Sequence, residues 1–133
     1  MSDTHRLTDL QVAIMRVLWD RGEATVAQIH EALLVERRLA PTTVATLLSR
    51  LEKRGVVKHR SASRQYVYYP IVSEPDVRRS MVSDLAERLF DGSVAELVSH
   101  LLDTREVSAG DLEKVKELIA DHEARMEASD DRR

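Results

Sequence analysis

Between Pro41 and Gly55, short polar and basic side chains recur at helical spacing. At about 100° per residue, the apolar residues of this stretch fall within one arc of a helix and the polar ones on the other side. The apolar arc holds Val44, Leu47, Leu48 and Leu51, and the polar side holds Thr42, Thr43, Thr46, Arg50, Lys53 and Arg54. Threonines hydrogen-bond base edges at close range, and Lys and Arg neutralise phosphates. A solvated helix face with capping threonines is the alternative interpretation.

Basic charge is concentrated around this stretch. Residues 37–64 carry eight Lys and Arg side chains and one acidic side chain, Glu52. Residues 1–70 hold 11 basic and 7 acidic residues, and residues 71–133 hold 9 and 16, although the net charge of the chain is only −3. A block of this kind favours a polyanion as the partner of the first half.

The composition excludes several classes of protein. The 133 residues are 43% hydrophobic and 32% charged, which is typical of a folded, water-exposed domain. No cysteine is present, so disulfides, thiolate nucleophiles and thiolate metal sites are excluded. No run of about 18 apolar residues occurs and the first residues lack a signal-peptide pattern, so we expect a cytoplasmic protein.

The five histidines and the many carboxylates match no catalytic motif. We therefore predict no enzymatic activity, no catalytic residue, no cofactor and no metal site. His100 and His122 fall on different predicted helices and are expected to be surface or packing residues.

The polar and basic side chains need elements to position them. Capping boxes at Thr8–Gln11 and Thr25–Gln28 predict the starts of two helices. Pro41 and Gly55 bound a third helix. The β-branched and aromatic runs 56–60 and 65–69 then predict a hairpin.

Three helices followed by a hairpin is the element order of a winged helix-turn-helix. Its wing places Arg60 and Arg64 on either side of the turn, where we expect them to meet the DNA backbone or minor groove. Trp19 and the tyrosines of the second strand are expected to pack rather than to bind a ligand.

Residues 73–133 predict three more amphipathic helices, so we place a domain boundary between a DNA-binding domain, 1–72, and a helical domain, 73–133. The fold class is mainly α, or α+β, with a two-stranded wing. Because three short helices bury little core alone, their apolar stripes predict a homodimer. The dimerisation residues are Met81, Leu85, Leu89, Leu97, Leu101, Leu112, Val115 and Ile119. A monomeric core shared with the first half is the alternative.

The segment 40–55, Ala-Pro-Thr-Thr-Val-Ala-Thr-Leu-Leu-Ser-Arg-Leu-Glu-Lys-Arg-Gly, resembles the BlaI/MecI/CopY family of penicillinase repressors. The opening segments 7–19 and 25–29 are similar to the family's first two helices. Phe90-Asp91-Gly92, residues 96–98, and residues 107–108 followed by 111–113 are similar to its dimerisation region.

The resemblance implies a dimeric winged-helix repressor on a palindromic operator of the TACA/TGTA type. Thr43 and Thr46 match base-facing positions, and Arg50, Lys53 and Arg64 match backbone-facing ones. An inducing signal would release the repressor. A protein-interaction module without operator binding is the alternative function.

In the penicillinase and methicillin branch, a membrane sensor protease cuts the repressor. The matching pair here is His100-Leu101, and the polar segment 103–106 is a second candidate cut site. Copper sensing through thiolates is excluded, because the chain has no cysteine.

Overall fold

The structure is a computed structural model that describes residues 6–131, which form six helices and three strands. In chain order these are α1 (Asp9–Arg21), β1 (Ala24–Thr25), α2 (Val26–Leu33), α3 (Pro41–Lys53), β2 (Val57–Ala62), β3 (Gln65–Pro70), α4 (Glu74–Phe90), α5 (Val94–Thr104) and α6 (Ala109–Asp131).

The first two helices begin at the predicted capping boxes. Thr8 Oγ1 accepts a hydrogen bond from the backbone N–H of Gln11 (3.3 Å), and Gln11 Oε1 accepts one from the N–H of Thr8 (3.0 Å). Thr25 and Gln28 repeat the exchange at 3.2 and 2.9 Å. Each box satisfies two amide groups that a helix N-terminus leaves without a partner.

The third helix starts differently. Ala40 is its N-cap, makes no side-chain capping bond, and is followed by Pro41 in the first turn. Proline suits this position because its fixed φ is helical and its missing N–H would have no partner there. Thr42 and Thr43 lie inside the helix, so neither is its N-cap.

The sheet has the order β1-β3-β2 and is antiparallel throughout. The hairpin pairs Val57 with Pro70 and Ala62 with Gln65, which confirms the predicted two-stranded wing. Ala24 and Thr25 add a third, two-residue strand against Tyr68 and Val67. Two residues are too short for an alternating pattern, so the sequence did not reveal this strand.

The chain divides into two compact units between Arg88 and Leu89, inside α4. We call the described residues 6–88 the N-terminal unit and residues 89–131 the C-terminal unit. The sequence placed the boundary between residues 72 and 73, just before α4 begins at Glu74. The structure assigns the first part of α4 to the N-terminal unit because Val77 is buried in that unit's core.

Side chains from every helix and strand of the N-terminal unit form its core. The largest fully buried ones are Ile14, Met15, Leu18, Ile29, Leu48, Leu51, Val44, Val56 and Val57. Trp19 packs against this core and donates from Nε1 to the carbonyl oxygen of Val72 (2.9 Å). Tyr68 is buried, as predicted, but Tyr66 is 54% exposed.

The C-terminal unit lacks such a core. None of the residues 89–130 is buried. Its helices start where the sequence predicted, because Ser93 Oγ accepts from the N–H of Glu96 (3.2 Å) and Ser108 Oγ from that of Asp111 (3.0 Å). Within residues 6–131, no helix has the length and apolar character needed to span a membrane.

Candidate nucleic-acid interface

One face of α3 is buried and the other is open. Val44, Leu48 and Leu51 are completely buried, and Leu47 packs partly against the same core. The exposed side chains of the helix's other face are Thr42, Thr43, Thr46, Ser49, Arg50 and Lys53. The core thus fixes which side of the helix faces outward, and the polar residues lie on that side, as the helical spacing predicted. Ser49 belongs to the same face, although it was not among the Thr, Arg and Lys residues predicted to bind DNA.

The threonines differ in their local bonds. Thr46 Oγ1 donates to the carbonyl oxygen of Thr42, 2.9 Å away. This bond uses the only proton of the hydroxyl, so Thr46 presents an acceptor and a methyl group to a partner. Such a side chain suits an amino group or a thymine methyl on a base edge.

The wing ends in a two-residue turn between Ala62 and Gln65. Both turn residues have positive φ, Ser63 at 50° and Arg64 at 68°. This combination is that of the type I′ hairpin turn, in which Asn and Gly are the preferred residues. The left-handed backbone conformation is unfavourable by about 1–2 kcal/mol for a residue such as Arg. Arg64 therefore occupies the exposed wing tip at a cost in backbone energy.

The basic residues fall into two groups. Arg50, Lys53 and Arg64 are exposed and take part in none of the ion pairs of the described chain. Arg60 is also exposed, but its Nη2 lies 2.6 Å from Oε2 of Glu23, and both side chains are 51% exposed. Glu23 therefore competes with any phosphate for Arg60.

Arg54 lies apart from the open face. It is half-buried, its Nη1 donates to Gln11 Oε1 (3.3 Å), and its Nη2 donates to the carbonyl oxygen of Arg6. Gln11 is the buried polar residue among the described side chains. The helical pattern predicted a DNA contact for Arg54. In the structure, the guanidinium of Arg54 instead forms hydrogen bonds that join the end of α3 to the start of α1.

Glu52, the acidic residue of the basic block, contacts a side chain of the wing. Its Oε1 lies 2.7 Å from Nδ1 of His59 on β2. The imidazole in turn contacts Tyr66 (ring centroids 4.2 Å apart) and Tyr68 (5.4 Å). Burial, then the charge of Glu52, then Tyr66, raise the pKa of Tyr68. The isolated acid in a basic sequence was the only signal of this cluster.

The predicted dimerisation residues divide between the two units. Met81 packs partly against the core of the N-terminal unit, and Leu85 also lies in that unit but is exposed. Leu97 and Val115 are half-buried. The exposed members in the C-terminal unit are Leu89, Leu101, Leu112 and Ile119.

The two candidate cut sites differ in backbone conformation. His100 and Leu101 lie within α5, and the ring of His100 is 5.7 Å from that of Phe90. Residues 105–108 form the irregular link between α5 and α6, whereas Asp103 and Thr104 are helical. The predicted loop 103–106 is therefore shifted by two residues.

No group of three His, Asp or Glu side chains in residues 6–131 is arranged to hold a metal ion. A cleft of about 970 Å³ lies in the N-terminal unit, and its wall includes Trp19, Arg16, Arg37 and Met81.

Residues 7–121 match the family model of the penicillinase repressors. The transcriptional regulator BlaI of Mycobacterium tuberculosis is 36% identical over 126 residues, which cover 93% of this chain and 90% of that protein. The penicillinase repressor of Bacillus licheniformis is 22% identical over 125 residues, covering 94% and 98%.

A solved structure, the DNA-binding domain of the repressor BlaI, superposes with a TM-score of 0.51 at 28% identity and covers 57% of this chain and 93% of its own. This likeness confirms the winged-helix fold. The matched proteins are repressors and regulators rather than enzymes, which confirms the prediction of a non-enzymatic protein. The chain belongs to the penicillinase repressor family, as the motif at residues 40–55 predicted.

Proposed function

We propose that this protein is a homodimeric transcriptional repressor that inserts α3, its recognition helix, into the major groove of a palindromic operator. The observation that carries the proposal is the open face of α3. Thr42, Thr43, Thr46, Arg50 and Lys53 are exposed there, and neither cation takes part in the ion pairs of the described residues. Such cations are available to phosphates without first losing a protein partner.

The width of the major groove admits one helix, and short side chains let the helix approach the base edges closely. We assign Thr43 and Thr46 to base edges, and Arg50 and Lys53 to the flanking phosphates. Arg64 at the wing tip follows the neighbouring backbone or minor groove. The DNA-binding domain of BlaI, with the same fold at 28% identity, supports this assignment.

The dimer is supported by the apolar surface of the C-terminal unit. None of its residues 89–130 is buried, and its exposed side chains include Leu89 (69%), Leu118 (54%) and Ile119 (52%). About 40 residues rarely form a stable core alone. A second copy that covers these side chains removes them from water and brings two recognition helices together.

A symmetric dimer reads a dyad whose half-sites lie about one helical turn, or a multiple of it, apart. From the resemblance to the family, we propose an operator of the TACA/TGTA type. We propose that the repressor acts in the cytoplasm.

The release signal is proposed to be a β-lactam-linked cut by a membrane sensor protease. The His100–Leu101 bond lies in a helix, so cleavage there requires local unfolding of α5. Residues 105–108 are already irregular and are the more accessible segment. Mass spectrometry of the repressor from β-lactam-treated cells locates the cut, and a protein that remains full-length contradicts this mechanism.

The primary experiment is DNase footprinting of the protein on its own upstream region at two salt concentrations, with the mass in solution measured alongside. We expect a protected dyad, a dimer, and a loss of protection at higher salt, because phosphate contacts release counterions. The Arg50→Ala/Arg64→Ala variant should lose protection. The control Arg78→Ala/Arg79→Ala removes two exposed arginines that pair with acids of their own helix, and should bind normally.

A double variant of Arg50 and Arg64 that binds as tightly as wild type contradicts the assigned face. A wild-type dimer that protects no DNA at low salt but captures an acidic protein favours the interaction-module function instead.

A further inference from the structure

A chain of polar contacts joins the recognition helix to α4 within the N-terminal unit. Arg54, which directly follows α3, donates to the carbonyl oxygen of Arg6. The side chain of the same Arg6 reaches α4, where its Nη2 lies 3.3 Å from Asp84 Oδ1. Arg6 therefore contacts the C-terminal end of α3 with its backbone and α4 with its guanidinium.

Asp84 is held from two sides. Its Oδ1 also accepts a hydrogen bond from Nε of Arg88, one turn further along α4, at 3.2 Å. The Asp84 side chain is 21% exposed, against 51% for Arg6 and 56% for Arg88. An ion pair in this partly shielded position is screened by solvent less than a fully exposed one.

The position of α4 matters because the helix continues into the C-terminal unit, which begins at Leu89. In a dimer held through that unit, the direction of α4 in each subunit contributes to the separation of the two recognition helices. A contact that fixes α4 relative to α3 therefore acts on the spacing of the half-sites that the dimer reads.

We infer that Asp84 is a positioning residue for operator binding: with Arg6 it holds α4 at a fixed orientation to the recognition helix. Asp84 is an acidic residue of α4 and does not belong to the face of α3 that we assign to DNA. The inference rests on the proposed dimeric repressor.

The charge of the Asp84 side chain allows a positioning role to be distinguished from a purely electrostatic one. Removing a carboxylate from a DNA-binding protein strengthens its attraction to phosphates, so a purely electrostatic role predicts tighter binding of Asp84→Asn to any duplex. A positioning role predicts weaker binding to a full palindrome and no weakening on a half-site. The two effects have opposite signs on the palindrome.

The experiment measures fluorescence anisotropy of the full-length dimer on two duplexes, one with the footprinted palindrome and one with a single half-site scrambled. We expect Asp84→Asn to weaken palindrome binding by about two- to fivefold, the range for an ion pair of this exposure. Half-site affinity should be equal to or higher than that of wild type. Lengthening the spacer between the two half-sites by one base pair should also reduce the affinity of the variant less than that of wild type.

The matched control is Arg88→Gln, which removes the other partner of Asp84 and leaves the Arg6 contact in place. It should retain the wild-type ratio of palindrome to half-site affinity. A double-mutant cycle of Arg6→Gln and Asp84→Asn should give coupling on the palindrome and none on the half-site. Urea unfolding of each variant verifies that it is folded.

An Asp84→Asn variant with the wild-type affinity ratio, or a cycle without coupling, overturns the inference while the repressor function stands. A wild-type protein that binds neither duplex overturns the proposed function, and this inference with it.

Discussion

The carboxylate of Glu52 and the imidazole of His59 join the recognition helix to the wing, with Oε1 and Nδ1 2.7 Å apart. Glu52 lies in the last turn of α3, and His59 lies in β2 opposite Tyr68. An acid that would repel DNA is thus used to fix the angle between the two elements proposed to bind it.

Breaking this contact should lower stability. Glu52→Ala should reduce the free energy of unfolding of the N-terminal unit by about 1 kcal/mol, because both side chains are only about one-third exposed. Urea titration followed by Trp19 fluorescence measures it, since Trp19 is the single tryptophan. Glu31→Ala, at an exposed glutamate of α2, is the control. If His59→Ala lowers the free energy of unfolding by the same amount in the Glu52→Ala variant as in wild type, the two residues are not coupled.

Alkaline pH should destabilise the protein through Tyr68. Its pKa is raised in the folded state, chiefly by burial, so the folded protein holds the phenol proton more tightly than the unfolded chain. The resulting contribution to folding stability is fully present below the pKa of the unfolded chain, about 10, and is lost as the pH rises through the higher pKa of the folded protein. Unfolding free energies between about pH 8 and pH 11 should fall less for Tyr68→Phe than for wild type. Parallel curves for the two proteins would refute the assignment.

Releasing Arg60 should strengthen DNA binding. Glu23→Gln removes the carboxylate 2.6 Å from Arg60 and frees its guanidinium for a phosphate. We expect tighter operator binding and a salt dependence steeper by about 0.9 in the logarithmic slope, which corresponds to one added phosphate contact. Glu106→Gln makes the same charge change in the C-terminal unit. Equal effects of the two variants would mean that net charge alone is responsible.

The wing turn should gain stability when its residues suit its backbone. Ser63→Asn/Arg64→Gly places preferred residues at the two positive-φ positions and should raise the free energy of unfolding by about 1 kcal/mol. The same variant should bind operator more weakly, because the wing-tip cation is lost. Arg64→Lys keeps the charge and the backbone strain, and should resemble wild type in both measurements. Undiminished affinity of the glycine variant would remove Arg64 from the interface.

Two arginines close in sequence should behave in opposite ways. Arg54→Gln should lower the free energy of unfolding by about 1–3 kcal/mol, since it removes a donor to buried Gln11. Arg50→Gln should leave stability unchanged and reduce the salt slope of operator binding by about 1. Urea titration and anisotropy at several salt concentrations separate the two effects. A reduced slope for Arg54→Gln would restore Arg54 to the DNA-binding face.

The sequence alone determined the winged-helix order, the starts of the helices and the open face of α3. These features depend on local physics: capping boxes satisfy amides within four residues, and a 3.6-residue period assigns Val44 and Thr43 to different sides of one helix. The family motif at residues 40–55 could be recognised for the same reason, because its side chains are contiguous.

Only the tertiary structure decided which charged side chains remain available to bind DNA phosphates. Arg54 and Arg50 look alike in the helical pattern, but Gln11, 43 residues away in sequence, accepts a hydrogen bond from the first. Glu23 pairs with Arg60 across 37 residues, and Arg6 with Asp84 across 78. The domain boundary also depended on a distant contact, because Val77 is buried in a core built by residues before Ser73. Periodicity describes one element at a time, whereas these contacts form only when separate elements pack together.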